Sequence, residues 1–143
     1  MALDALPAVF IGTLSARTND VDRPMVAGPL GTKVVATVTG GSFVGPKINA
    51  SAAEGVAAGD WLTILPDGGF SLDVRFSLRT DDGADIFVTY TGFGKRNEDG
   101  TASIRTSPRF ETGDERYAWL NSLFCVAIGK TTPEGVEYEI YSV

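Results

Sequence analysis

The chain contains no histidine. That absence removes Ser-His-Asp and Cys-His nucleophile arrangements and every imidazole-based metal site. A general acid or base must then be Asp, Glu, Tyr, Lys or a water molecule. Cysteine occurs once, at Cys125, so no internal disulfide can form. It lies in the apolar run LFCVAI and reads as a buried, inert thiol. No apolar run approaches the roughly 20 residues that cross a bilayer as a helix. The N-terminal MALDALPAVF lacks the basic and apolar regions of a secretory signal, so a cytoplasmic location is the default expectation. Asn49-Ala50-Ser51 matches a glycosylation sequon, which matters only in a secretory pathway. Basic residues are outnumbered, with 12 Lys and Arg against 18 Asp and Glu, for a net charge of −6. Neither a nucleic acid nor an anionic membrane is therefore an expected partner. Asp81, Asp82 and Asp85 cluster without the spacing of a calcium loop or its terminal Glu. They read as a solvated turn, and neither a metal nor a cofactor is expected.

What is present is strand signal. The 143 residues, 43% of them hydrophobic, suffice for one domain with its own core. Strands are predicted at 9–16, 33–39, 42–44, 61–65, 102–110, 123–130 and 136–143, with a hairpin at 70–93. Loops are predicted at 19–31 and 94–100, a small-residue stretch at 48–59, and a turn at 66–69. Pro108 puts the end of the 102–110 strand at an edge or bulge. Thr112 to Glu115 has the form of a capping box and starts one helical turn over 116–121. No segment holds a helical period, and the Gly-rich turns recur at strand spacing. The expectation is an all-β chain: a single antiparallel up-and-down β-barrel of about 9–10 strands with one short helical turn, spanning 1–143 as one domain.

The hairpin 70–90 is the most informative stretch. Leu72, Val74, Phe76 and Leu78 alternate with Asp73, Arg75, Ser77 and Arg79. Asp82-Gly83 suits a tight turn, since glycine takes positive φ at no steric cost. Centring that turn on Asp82-Gly83 sets Thr80 opposite Asp85, Arg75 opposite Tyr90 and Asp73 opposite Gly92. Tyr90 then shares the face of Asp73, Arg75 and Arg79. Asp73 and Arg75 lie about 7 Å apart on that face and can pair. Two orientations stand. In one, the apolar face fills the barrel and the charges meet water. In the other, the charged face lines the lumen and the apolar face packs outward on another layer or subunit. The second favours a homodimer or higher assembly.

The candidate site follows from the inward orientation. Arg105 and Arg109 lie four apart on the next strand and would join Asp73 and Arg75 around a ligand. Guanidinium groups offer planar paired donors and cannot be deprotonated, which suits a carboxylate, enolate or phenolate. Asp60 and Trp61 begin a strand and read either as a turn carboxylate and core Trp or as a pocket mouth and wall. Trp119 and Asn121 sit on the helical turn and either plug one barrel end or reach the ligand. Tyr90, Tyr138 and Tyr141 are core or rim positions whose hydroxyls need partners.

The segments LDVRFSLRTDDGADIFVTYTG and RTSPRFETGDERYAWLN, with AAGDW upstream and a C-terminal GVEYEIYSV, resemble the family called domain of unknown function 3237, whose members are also grouped as UPF0311 proteins. The resemblance covers nearly the whole chain in order. It implies an up-and-down antiparallel barrel of about this length and says little of activity. The glycine-rich lead into Gly-Asp-Trp stands here as GVAAGDW, so that loop departs from the family's pattern. Membership of Asp73 and Arg75 in the resembling segment favours the inward orientation.

Three functions compete. The first is a cofactor-free enzyme binding an apolar or aromatic small molecule and catalysing isomerisation, cyclisation or elimination. Asp73 would be its acid–base, Arg75 and Arg105 would steady negative charge, and Asp60, Trp61, Tyr90, Arg109, Trp119 and Asn121 would bind substrate. Against it, Arg75 beside Asp73 lowers the carboxylate's proton affinity. The second is a non-catalytic ligand carrier or sensor. The third is an assembly module whose charged face meets a partner.

Overall fold

The computed structural model describes residues 1–18 and 24–143. The 19–23 part of the expected 19–31 loop lies outside the described residues. Strands run over Val9–Thr18 (β1), Met25–Gly28 (β2), Gly31–Gly45 (β3), Ile48–Ala52 (β4), Gly59–Ile64 (β5), Phe70–Thr80 (β6), Asp85–Arg96 (β7), Ala102–Thr106 (β8), Arg109–Glu111 (β9), Cys125–Thr132 (β10) and Gly135–Ser142 (β11). One 3₁₀ segment covers Glu115–Ser122. A closed antiparallel barrel of 8 strands forms from β1, β3, β5, β6, β7, β8, β10 and β11. Around the ring they follow chain order, which is the up-and-down arrangement. Short strands β2, β4 and β9 pair outside the ring, β4 with β3 and β6, and β9 with β7.

Several local expectations shift. Residues 25–28 form a strand paired with 31–34, where a loop was predicted. The expected strands 33–39 and 42–44 are one long strand, β3, that bends at Gly40-Gly41 and does not break. Its first half pairs with β5, its second with β1 and β4. A sharp bend in a barrel wall is where glycine is useful: a Cβ at Gly41 would strike the Ser15 carbonyl oxygen, and its φ of 154° is one that most side chains disfavour. Pro108 divides 102–110 into β8 and β9, as an edge or bulge requires. The helical turn is capped by Asp114, whose Oδ1 accepts the Arg116 N–H at 3.0 Å, rather than by Thr112. Thr112 is engaged elsewhere, its hydroxyl donating to the Asp85 carbonyl at 2.7 Å.

The β6–β7 hairpin is one residue out of the predicted register. Arg79 pairs with Asp85, Arg75 with Thr89, and Asp73 with Thr91. The turn has three residues, 81–83, with Gly83 at φ 93°, the shape of a type I turn followed by a left-handed residue. Thr80 closes it: its Oγ accepts the Ala84 N–H at 2.7 Å and donates to Asp82 Oδ1 at 2.6 Å. A slip of one residue exchanges the faces of a strand. Tyr90 therefore joins the buried row of β7 with Ile86 and Val88, away from the charged face.

The barrel orientation is decided by that hairpin. Leu72, Val74, Phe76 and Leu78 are buried, whereas Arg75 and Arg79 are exposed and Asp73 and Ser77 half-buried. The expected inward charged face is corrected: it looks out. A ring of this strand number has an interior just wide enough for side chains to fill, and placing several ions there would cost several kcal/mol each. Leu14, Phe43, Phe76, Leu78, Ile86, Val88, Ile104, Tyr138 and Ile140 are buried there. Tyr117 and Leu120 of the 3₁₀ segment pack against the same core. The apolar face of β6 is thus used internally and no longer argues for a second subunit. The outer wall still carries Phe93 and Ile128, at 69% and 50% exposure.

Four carboxyls are held below their ordinary proton affinity: Asp82 by the Thr80 and Tyr117 hydroxyls with Arg116, Asp114 by Arg116, Asp85 by Arg79, and Asp99 by Thr101. Their folded values lie below the unfolded value of about 3.9. The unfolded chain therefore takes up more protons as pH falls through about 4, and stability present above that pH is lost below it. The melting temperature should hold between pH 5 and 7 and fall below pH ~4. Asp82→Asn should flatten that acid limb in a pH series of thermal melts; an unchanged limb contradicts the assignment.

Candidate functional site

Four of the expected site residues, Trp61, Asp73, Arg75 and Arg109, meet on the outside of the barrel. Register explains the grouping. Arg75, Thr89 and Arg109 lie in one row across β6, β7 and β9. Ser77, Phe87 and Glu111 form the next row, and Arg79 faces Asp85 beyond it. Arg75 Nη2 reaches Asp73 Oδ2 at 3.3 Å, with both side chains about half exposed. The Arg75 guanidinium also lies over the Trp61 ring, 4.8 Å from its centre. Trp61, 44% exposed, is thus an outer-wall residue and not a core one. Arg79 Nε donates to Asp85 Oδ1 at 2.7 Å.

This strip borders a trough of about 810 Å³. Val56 and Phe87 give it apolar surface, Arg79 and Arg109 positive charge, and Asp85 and Glu111 negative charge. Arg109 also lines a cleft of about 160 Å³ with Asp73, Arg75 and Thr89, and another of about 190 Å³ with Ser107 and Asn121. Arg75 and Arg79 each have a carboxylate partner. Arg109 makes no ion pair among the described residues, so its donors face the concavities.

The other expected site residues are dispersed. Arg105 points outward between Phe93 and Ile128 and lines none of these concavities; its Nη1 donates to the Ile104 carbonyl at 2.9 Å. Asn121 borders the trough, but its amide is engaged with Thr112, accepting that N–H at 2.8 Å and donating to that carbonyl at 2.9 Å. It fixes the trough wall. Trp119 lies at the barrel end under the Lys47 ammonium, 4.3 Å away, beside an apolar cleft with Phe10 and Leu123.

The lumen holds a different polar set. Asp60 pairs with Ala36 and Val74, both buried, so it belongs to the inner face of β5. The β5–β6 ladder pauses between Asp60↔Val74 and Thr63↔Ser71, and there Asp60 Oδ1 accepts the Asp73 backbone N–H at 3.0 Å. Tyr90 and Tyr138, 3% and 1% exposed, meet edge to face with ring centres 5.2 Å apart. Burial pushes both phenols above their ordinary proton affinity, and the Asp60 carboxylate pushes the same way. Both stay protonated donors at neutral pH. Sequence reasoning left Tyr138 at a core or rim position; Glu137 and Glu139 on either side of it gave the alternation, but nothing local signalled its partner Tyr90. Among the described residues no group of three or more His, Cys, Asp or Glu is placed to hold a metal ion, and no helix is long and apolar enough to cross a membrane.

The chain's relatives share this frame. It is 30% identical over 153 residues to a UPF0311 protein of Rhodopseudomonas palustris, covering 96% of this chain and 97% of that protein. The crystal structure of a conserved protein of unknown function from Rhodopseudomonas palustris aligns with a TM-score of 0.86 at 22% identity, covering 98% of this chain and 99% of that one. A hydroalkoxylation enzyme, phnH, of Penicillium herquei is 31% identical over 91 residues, 64% of this chain and 53% of that protein. The family model described as "Protein of unknown function (DUF3237)" matches residues 7–143. With that match on top of the eight-stranded barrel, the chain belongs to the DUF3237 family.

Proposed function

We propose that this protein binds a small, largely apolar or aromatic molecule carrying an anionic oxygen, and that it does so in the trough on the outer wall of the barrel. The observation that carries this reading is Arg109, which has no carboxylate partner among the described residues and lines three concavities. Arg79 supplies a second cation, and Phe87 and Val56 supply apolar contact. Guanidinium forks suit carboxylate and phenolate oxygens. The acidic side chains of the trough, Asp85 and Glu111, select against highly charged anions. Calorimetric titration with 2-naphthoate tests the reading. Wild type should release heat with saturable binding that weakens as salt rises, since exposed charges are screened. Arg109→Gln should bind about tenfold more weakly, the loss of one charge-assisted hydrogen bond. Equal affinities for the two proteins would contradict the site.

A second reading is a cofactor-free acid–base enzyme of the lyase, isomerase or cyclase kind, and the relative named a hydroalkoxylation enzyme favours it. Adding an alcohol O–H across a C=C bond transfers a proton and needs no redox partner. In this reading Asp73 moves the proton, and Arg75 and Arg109 hold the developing negative charge beside Trp61. Asp73 is half exposed and already engaged by Arg75, which ranks catalysis below binding. Asp73→Asn should keep ligand affinity and abolish cyclisation of a hydroxyl-bearing conjugated alkene. A variant as active as wild type rules Asp73 out.

A further inference from the structure

Two side-chain hydroxyls are buried without a hydrogen-bond partner among the described residues: Tyr138 Oη and Thr106 Oγ1. They occupy neighbouring inward positions, since Thr106 pairs with Ala127, and Tyr138 with Gly129 two residues further along β10. A Cβ at Gly129 would strike the Tyr138 ring, so the strand is kept bare to seat that phenol. Tyr90 lies edge-on to Tyr138, near enough to influence its ionisation yet leaving the Tyr138 hydroxyl without a bond of ordinary geometry. Orphaned hydroxyls in an apolar core destabilise the fold, and native chains keep them where something else satisfies them. Phenylalanine and valine would fill the same volumes with no such penalty.

We propose that the middle of the lumen is a second ligand site, distinct from the outer trough. It takes one small neutral molecule of phenol size, with a hydroxyl or carbonyl oxygen on an apolar body. Tyr138 donates to that oxygen, Thr106 donates or accepts beside it, and Tyr90 and the buried aliphatic wall enclose the remainder. Neutrality is required because the Asp60 carboxylate faces the same phenols and repels an anion. Asp60 is half-buried and stands where the β5–β6 ladder pauses. Barrels of this strand number can hold one small ligand.

The experiment compares phenol with toluene, which has the same shape and no hydroxyl, by calorimetry on the intact chain. Wild type should bind phenol at least about tenfold more tightly than toluene, the worth of one neutral hydrogen bond plus relief of an orphan. In Tyr138→Phe and Thr106→Val the preference should shrink to about twofold or less. Both variants should melt at or above the wild-type temperature without ligand, because a merely structural hydroxyl would lower it on removal. Tyr138→Phe should keep wild-type affinity for 2-naphthoate, so failure of either site is seen separately. The proposal is overturned if wild type binds neither compound, if it prefers them equally, if the variants keep the full preference, or if a high-resolution crystal grown with phenol shows an ordered water alone between the two hydroxyls.

Discussion

Phe43→Ala is expected to lower the unfolding free energy by about 3–5 kcal/mol, and the melting temperature by roughly 10–20 °C for a chain of this size. Phe43 is fully buried and stacks on Phe110 with ring centres 5.1 Å apart and planes 12° from parallel. Its ring also rests where Gly12 has no side chain, so a Cβ at Gly12 would strike it. The void left by alanine is walled by backbone on that side and by a ring on the other. Neither can move far to fill it, which puts the loss near the top of the range for such truncations. Phe87→Ala is the control. Phe87 is 42% exposed on the outer wall, and its loss should cost about 1 kcal/mol or less. Denaturant unfolding of the two variants checks the contrast; similar losses would mean the inner and outer faces are wrongly assigned.

The second large effect is on binding. Combining Arg79→Gln with Arg109→Gln should reduce 2-naphthoate affinity about a hundredfold, two charge-assisted hydrogen bonds at about tenfold each. Near-additivity is expected because the two residues sit on different strands and face the trough from separate rows. Glutamine keeps length and polarity while removing the charge. Stability should change little, since the Arg79–Asp85 pair is exposed and such pairs are weak contributors. A double variant that binds like wild type, while melting normally, would remove the outer wall as the site.

The architecture was legible in the residues because it rests on period-two alternation, turn chemistry and the lack of any helical repeat. Barrel class, chain-order connectivity, the break at Pro108 and the placement of the short helical turn all follow from those signals. The orientation of the 70–90 hairpin was not. Its two faces are Leu-Val-Phe-Leu and Asp-Arg-Ser-Arg, and alternation alone does not say which side of a curved sheet is concave. Strand number decides that, and strand number becomes visible only when β2, β4 and β9 are seen to leave the ring. The one-residue slip had a local cause, since Asp-Gly serves two-residue and three-residue turns alike and the Thr80 hydroxyl selects the longer one. That slip moved Tyr90 from the charged face to the lumen, where it meets Tyr138 from a strand 48 positions later. Of the expected site residues, Trp61, Asp73, Arg75 and Arg109 are neighbours in the fold, because equal offsets on paired strands bring them into adjoining rows. Arg105 shares a face with Arg109 in sequence, but β8 and β9 diverge at Pro108 and carry the two apart.

The most direct test of the outer-wall site is a two-dimensional amide NMR titration of the intact, isotope-labelled chain with 2-naphthoate. Shifts confined to Arg79, Phe87, Arg109, Glu111 and their neighbours, with Val74, Tyr90 and Tyr138 unmoved, are the expected result. Shifts centred on those inward positions, with the Arg109 row still, would contradict it.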